Sequence, residues 1–236
     1  MTFKEDLQAK VRGLVSDTWG ITNGNILPSS DDPALTFGNT GRMLDACILY
    51  ADIRGSTEMV DELCDTRAAE YYKAFLHCTA KILKRNLGEI TAYDGDRVMA
   101  VFLGEEKEDN AVGAALEIGC AVDEIINPQF LQLYTAGHRQ LRHTVGVDKG
   151  MVLVSKTGVR VDSDLVWVGA AANYAAKLNS FKGLDANFPI RITSEVFASL
   201  SKLCLVGSAG GPMWQGPYNN FDPRLHYRTN FTRSFT

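Results

Sequence analysis

The stretch Ala46-Cys47-Ile48-Leu49-Tyr50-Ala51-Asp52-Ile53-Arg54-Gly55-Ser56-Thr57 decides the fold. Its first six residues form an apolar run of strand length that ends at Asp52. Arg54-Gly55-Ser56 supplies a turn. Thr57 is then placed to cap a helix, with Glu58 favourably set in the first turn. An acid at a strand end therefore stands beside free backbone N–H groups, which attract anions. That juxtaposition makes electrostatic sense when a cation bridges acid and phosphate, as magnesium does with few carboxylates plus phosphate oxygens.

Downstream, Met59, Leu63, Tyr71, Phe75, Ile82 and Leu83 carry one long helix towards Gly88, a typical closing glycine. Two short strands, 89–93 and 97–103, flank Asp94-Gly95-Asp96, a strong hairpin signal. A second long helix spans 109–126 and is bounded by Pro128. Segments 142–148 and 151–156 read as a strand pair turned at Lys149-Gly150, with a third strand near 160–167. A helix over 170–178 follows, then a strand over 190–193, with Ser194 capping the next helix. The segment 207–223 is rich in Gly and Pro, and 226–231 reads as a closing strand.

Upstream, Leu7, Val11, Leu14 and Val15 predict a short amphipathic helix, and 20–41 reads as loop. The order is strand, helix, hairpin, helix, hairpin, helix. It predicts an α+β domain, an antiparallel sheet carrying helices on one face. We divide the chain into an N-terminal helix-and-loop extension, 1–42, and one main domain, 43–236.

The 236 residues include 45 % apolar ones, enough for a sizeable core. A net charge of −4 offers no footprint for nucleic acid and no polybasic run for a membrane surface. No run approaches a membrane span, and residues 1–20 do not resemble a signal peptide. These features predict a cytoplasmic protein. The five cysteines are scattered, with no C-x-x-C pair, and read as small core hydrophobes.

Two further constellations carry chemistry. In Tyr93-Asp94-Gly95-Asp96-Arg97, a hairpin beside the first strand brings Asp96 close to Asp52. Two carboxylates from adjacent strand ends suit two metal ions. In the segment 169–177, Asn173 and Lys177 stand four apart on one helix face among small residues. An amide and a cation displayed together suit a ribose and a charge developing on phosphate.

With these residues in view, a resemblance emerges. Asp52-Ile53-Arg54-Gly55-Ser56-Thr57 resembles the D-I-x-G-[FS]-T segment of class III nucleotide cyclases. Residues 95–102, beginning Gly95-Asp96-Arg97, are similar to their G-D-x-x-M-A-V-F hairpin, and 169–178 to their G-x-x-V-N-x-A-x-R-[ML] helix. The blocks occur in the family's order across about 45–193. The resemblance implies a ferredoxin-like α+β domain working as a head-to-tail homodimer on a nucleoside triphosphate. It implies two divalent ions, Mg or Mn, on Asp52, Asp96 and the Ile53 carbonyl. Arg54, Gly55, Ser56 and Thr57 would wrap the triphosphate. Asn173 and Lys177 would come from the partner chain, Lys177 standing where the family has an arginine.

Ala92 and Val166 occupy the family's base-reading positions, and neither can read a purine edge. In this, in the first block, in Asp94-Gly95-Asp96-Arg97 and in the helix bearing Asn173 and Lys177, the chain resembles the stand-alone bacterial Pycsar antiphage cyclases. That likeness implies a cyclic pyrimidine product, cyclic UMP before cyclic CMP, read by a separate effector protein. Tyr50 and Arg97 would meet the base. The alternatives are an adenylate cyclase with an atypical base pocket, or an inactive nucleotide-binding domain.

Overall fold

The computed structural model describes residues 1–134, 137–181, 185 and 187–235. They form two compact units, 46–150 with 171–236, and 1–45 with 151–170.

In the larger unit, β2 (Thr40–Ile53) leads into α2 (Ser56–Glu62) and α3 (Asp65–Arg85). The hairpin β3 (Glu89–Asp94) and β4 (Arg97–Phe102) follows, then α4 (Lys107–Cys120), a π-helical segment (Ala121–Ile126), and α5 (Asn127–Leu133). The unit continues with β5 (His143–Gly158), α6 (Ala170–Asn179), β7 (Ile190–Thr193), α7 (Ser194–Phe197), α8 (Lys202–Leu205), β8 (Gln215–Tyr218) and β9 (His226–Thr229). The remaining strand, β6, is Ser163–Val168.

The strands lie in the order β3-β4-β2-β5-β7-β9-β8. The first four reproduce the order of a split βαββαβ unit, the ferredoxin-like arrangement that the family resemblance implies. β4 pairs antiparallel with both β2 and β3, whereas β5 joins β7 in parallel and so extends the core. Side chains alternate between faces along a strand. Cys47, Leu49, Ala51 and Ile53 of β2 share one core with Tyr71 and Phe75 of α3 and Leu116 of α4. Gly146 of β5 faces the other way: a Cβ there would lie 2.2 Å from the Ala175 carbonyl, so its missing side chain lets α6 approach. α6 thus covers part of the opposite face.

The helix expected from Thr57 breaks in two. Leu63 and Cys64 are extended, and the step of five from Leu63 to Ala68 is out of phase with a helical stripe. Gly55, not Thr57, is the first cap, at φ 71°. α3 ends in a Schellman arrangement whose left-handed residue is Leu87 (φ 62°). Gly88 instead admits the Phe102 ring, which a Cβ would meet at 2.6 Å. Pro128 does not end the second helix, because the π-helical segment resets the register and puts it in the first turn of α5, where its missing N–H costs nothing.

Lys149-Gly150 does not turn: β5 runs through as one strand, and Gly150 accommodates φ 147°. Thr193, one residue earlier than expected, caps α7 through the Val196 N–H. Cys64 is exposed, unlike a core cysteine.

In the smaller unit, α1 (Phe3–Ser16) starts with a Thr2–Glu5 capping box. The stretch expected as loop contains a strand: β1 (Gly20–Asn23) pairs in parallel with Thr40–Met43 of β2. β6 pairs with the last residues of β5, closing a turn held by the Val159 N–H on the Asp162 carbonyl. Among the described residues, no helix is long and apolar enough to cross a membrane.

Candidate active site

The register of three strands builds the site. Tyr50 on β2 pairs with Met99 on β4, which pairs with Ala92 on β3. These three form one lateral row. Two residues along, Asp52 and Arg97 occupy the same face, with Arg97 paired to Asp94. Asp96 follows Gly95, whose φ of 61° makes the tight hairpin turn.

The Arg97 guanidinium lies on Asp52, with Nε and Nη2 donating to Oδ2 at 3.1 and 3.0 Å. Even so, the Asp52 carboxyl is pushed up to about 6, by burial first and by the neighbouring Asp96 carboxylate next, against the pull of Arg97. Asp96 Oδ2 is buried without a hydrogen-bond partner. Two crowded carboxylates, one with an orphaned buried oxygen, make a donor set short of positive charge. Hard oxygen donors of this kind fit Mg or Mn. Among the described residues no cluster supplies three such ligands, so phosphate and water oxygens would complete the shell. Burial also raises Tyr50, and Arg97 partly offsets the rise.

The turn after β2 is pinned from both sides. The Arg54 N–H donates to the Arg142 carbonyl at 2.8 Å. Arg139 Nη2 donates to the Gly55 carbonyl at 3.2 Å and also pairs with Glu62. Ser56 is half-buried and Thr57 exposed. A cavity of about 200 Å³ beside the turn is lined by Asp52, Ile53, Arg54, Thr144, Asn179 and Phe181, among others.

α6 presents Asn173 and Lys177 outward, both exposed. Lys177 Nζ lies 5.1 Å from the Tyr174 ring centroid. Among the described residues, no hydrogen bond or ion pair joins either side chain to Asp52 or Asp96. The structure thus brings Tyr50, Asp52, Ala92, Asp96 and Arg97 together, and sets Asn173 and Lys177 on a separate outward face. Val166 stands on β6 opposite Ser155 and is partly exposed, in the smaller unit.

Against known proteins, the chain is 42 % identical over 232 residues to a uridylate cyclase of Xanthomonas perforans, covering 98 % of both chains. It is 39 % identical to one of Burkholderia cepacia, covering 91 % of each. The chain belongs to the class III nucleotide cyclases. Its fold matches that of the adenylyl cyclase CyaB from P. aeruginosa, with a TM-score of 0.68 at 20 % identity over 82 % of this chain and 97 % of that one. The guanylyl cyclase Cya2 gives 0.66 at 21 % identity, over 82 % and 95 %. No model of a protein family matches the sequence.

Two features of the cyclase escape sequence reasoning. Asn179 is buried and ties α6 to β5 and β2, its Nδ2 donating to the Thr144 carbonyl at 2.9 Å and to the Tyr50 carbonyl at 3.3 Å. It lies two residues past Lys177, at the helix end, where an Asn looks like an ordinary cap. Arg139 stands in a stretch with no periodic pattern, and only the tertiary fold carries it to Gly55.

Proposed function

We propose that this cyclase closes UTP into 3′,5′-cyclic UMP and releases pyrophosphate. The 3′-oxygen attacks the α-phosphorus, the bond from that phosphorus to the bridging β-oxygen breaks, and the hydroxyl proton passes to solvent. Asp52, Asp96 and the Ile53 carbonyl hold two divalent ions, Mg or Mn. Such ions lower the hydroxyl's pKa and neutralise the leaving group. The turn from Arg54 to Thr57 wraps the triphosphate. Asn173 and Lys177, from a second copy of the chain, orient the ribose and meet the charge that develops on phosphate.

The observation that carries this reading is the Tyr50–Met99–Ala92 row beside the paired acids. A purine reader needs matched buried donors and acceptors, and this row offers a phenol, a thioether and a methyl. Arg97, next to Tyr50, supplies donors suited to the carbonyl oxygens of uracil. The relatives named uridylate cyclases support the same choice over CTP. The product then serves as a cytoplasmic signal, read by a separate effector in antiphage defence.

A specific observation favours one second reading. Arg97 already occupies Asp52, as it would in a domain that binds nucleotide without turnover. Purified protein with Mn, offered ATP, GTP, CTP and UTP together, separates the two. Cyclic UMP as the dominant product by mass supports the proposal. Cyclic AMP or GMP overturns the pyrimidine assignment, and bound nucleotide without any cyclic product supports the second reading.

A further inference from the structure

We propose that Arg224 is a positioning residue for Lys177, acting through the ring of Tyr174. The inference rests on the role given to Lys177 above.

Asp148 on β5 is completely buried. It accepts the Thr193 hydroxyl at 2.6 Å and both of its oxygens receive the Arg224 guanidinium. Arg224 also lies 3.6 Å from Glu195. A single guanidinium nitrogen, Nη1, donates to both oxygens, and with Nε facing Glu195 the planar guanidinium is restricted in direction. The same guanidinium lies over the Tyr174 ring, 4.6 Å from its centroid. Phe221 meets that ring edge-on at 5.6 Å, and Phe181 meets Phe221 at 5.4 Å. Tyr174 therefore has little freedom to turn, although it is only half-buried on α6. Lys177, one turn on, lays its ammonium near the same ring, 5.1 Å from the centroid.

The physical need is plain. Lysine is a flexible point charge that loses much rotamer freedom when fixed. A ring that already has a cation on it, held by a buried acid, gives Lys177 one preferred direction before substrate arrives. The fixed chain is Asp148, Arg224, Tyr174, Lys177, built from β5, the segment before β9, and α6. Arg224 is too fully engaged by Asp148 to act on substrate itself, which makes its role indirect.

The test is a double-mutant cycle with steady-state kinetics on the full chain. Arg224→Met is expected to lower kcat about tenfold with KM nearly unchanged, since it disturbs a group used only in the transition state. In a Lys177→Ala background it should cost nothing more, and Arg224→Lys should recover part of the loss. Arg224→Met strands a buried carboxylate and risks misfolding. Tyr174→Leu, which leaves the Asp148–Arg224 pair intact, is expected to give the same kcat loss and the same lack of additivity.

A readout independent of turnover completes the test. The methylated Lys177 NMR signal should be displaced by the Tyr174 ring current and return to the ordinary lysine position in Arg224→Met. Additive kcat losses, a change confined to KM, or an unmoved Lys177 signal overturns the proposal while the Lys177 assignment stands. If Lys177→Ala alone leaves kcat unchanged, the assignment of Lys177 falls and the proposal falls with it.

Discussion

The acid corner and the outward face of α6 belong to one proposed reaction, yet they are built in opposite ways. At the corner, Asp52, Asp96 and Arg97 are partly buried and locked by strand register, two acids against one cation. On α6, Asn173 and Lys177 are exposed, and Lys177 lies against the Tyr174 ring. A corner of that kind is preformed but holds electrostatic stress. A face of that kind is relaxed and waits for something to complete it. The contrast supports a site divided between two copies of the chain, with the stored cost on one side and the late-acting groups on the other.

The sharpest break in the comparison is at the corner. Asp52→Ala or Asp96→Ala is expected to lower turnover by about a thousandfold or more, because each removes a charge that no nearby group replaces. Circular dichroism should show an unchanged fold. Near-normal rates in both variants would end the two-metal assignment.

The next prediction uses the division itself. Asp52→Ala chains and Lys177→Ala chains, each nearly inactive alone, are mixed in equal amounts. In a head-to-tail dimer, half the dimers are mixed and each keeps one of its two sites whole. Recovery to about a quarter of wild-type activity is therefore expected. No recovery after verified subunit exchange would place all the groups in one chain.

A smaller effect separates the two partners of Asp52. Arg97→Ala is expected to tighten Mn binding in the absence of nucleotide by about fivefold, the effect of removing one partly exposed ion pair worth about 1 kcal/mol. Water-proton relaxation against Mn concentration measures it. Weaker binding would mean that Arg97 orders the corner for metal.

How much of this was legible beforehand follows the same contrast. The corner is written locally: a strand ending in Asp52 and an Asp-Gly hairpin leave Asp96 few places to go. Ala92, Met99 and Tyr50 fall into line as soon as the strand order is right. What stayed hidden depends on distant packing. Gly150 looks like a turn because glycine usually is one, but β5 runs on past it and its last residues pair with β6. The break at Leu63-Cys64 has no Gly or Pro to announce it, and only the five-residue step to Ala68 hints that the stripe restarts. Gly88 looks like a cap and is instead a space for Phe102. Arg224 sits just past the Gly/Pro-rich stretch and before the closing strand, and its value arises only when β5 brings Asp148 beneath it.

The smallest prediction tests whether the corner is truly stressed. Asp52 titrates at about 6 in the folded chain, against about 3.9 when unfolded. Between those values the folded state holds a proton that the unfolded state has released. Stability therefore falls as pH rises through that window, and above it the full penalty of the charged acid remains. Asp52→Asn removes the charge but keeps the shape. Without metal, it should melt about 2–4 °C higher than wild type at pH 7.5 and at the same temperature near pH 4. Saturating Mn should raise the melting point of wild type more than that of the variant, since metal binds the carboxylate only when it is ionised. Asn173→Ala, on the relaxed face, should leave the melting point where it was. A variant less stable than wild type at pH 7.5 would mean that Arg97 already repays the burial of Asp52, and the corner would then have no stored cost for a metal to relieve.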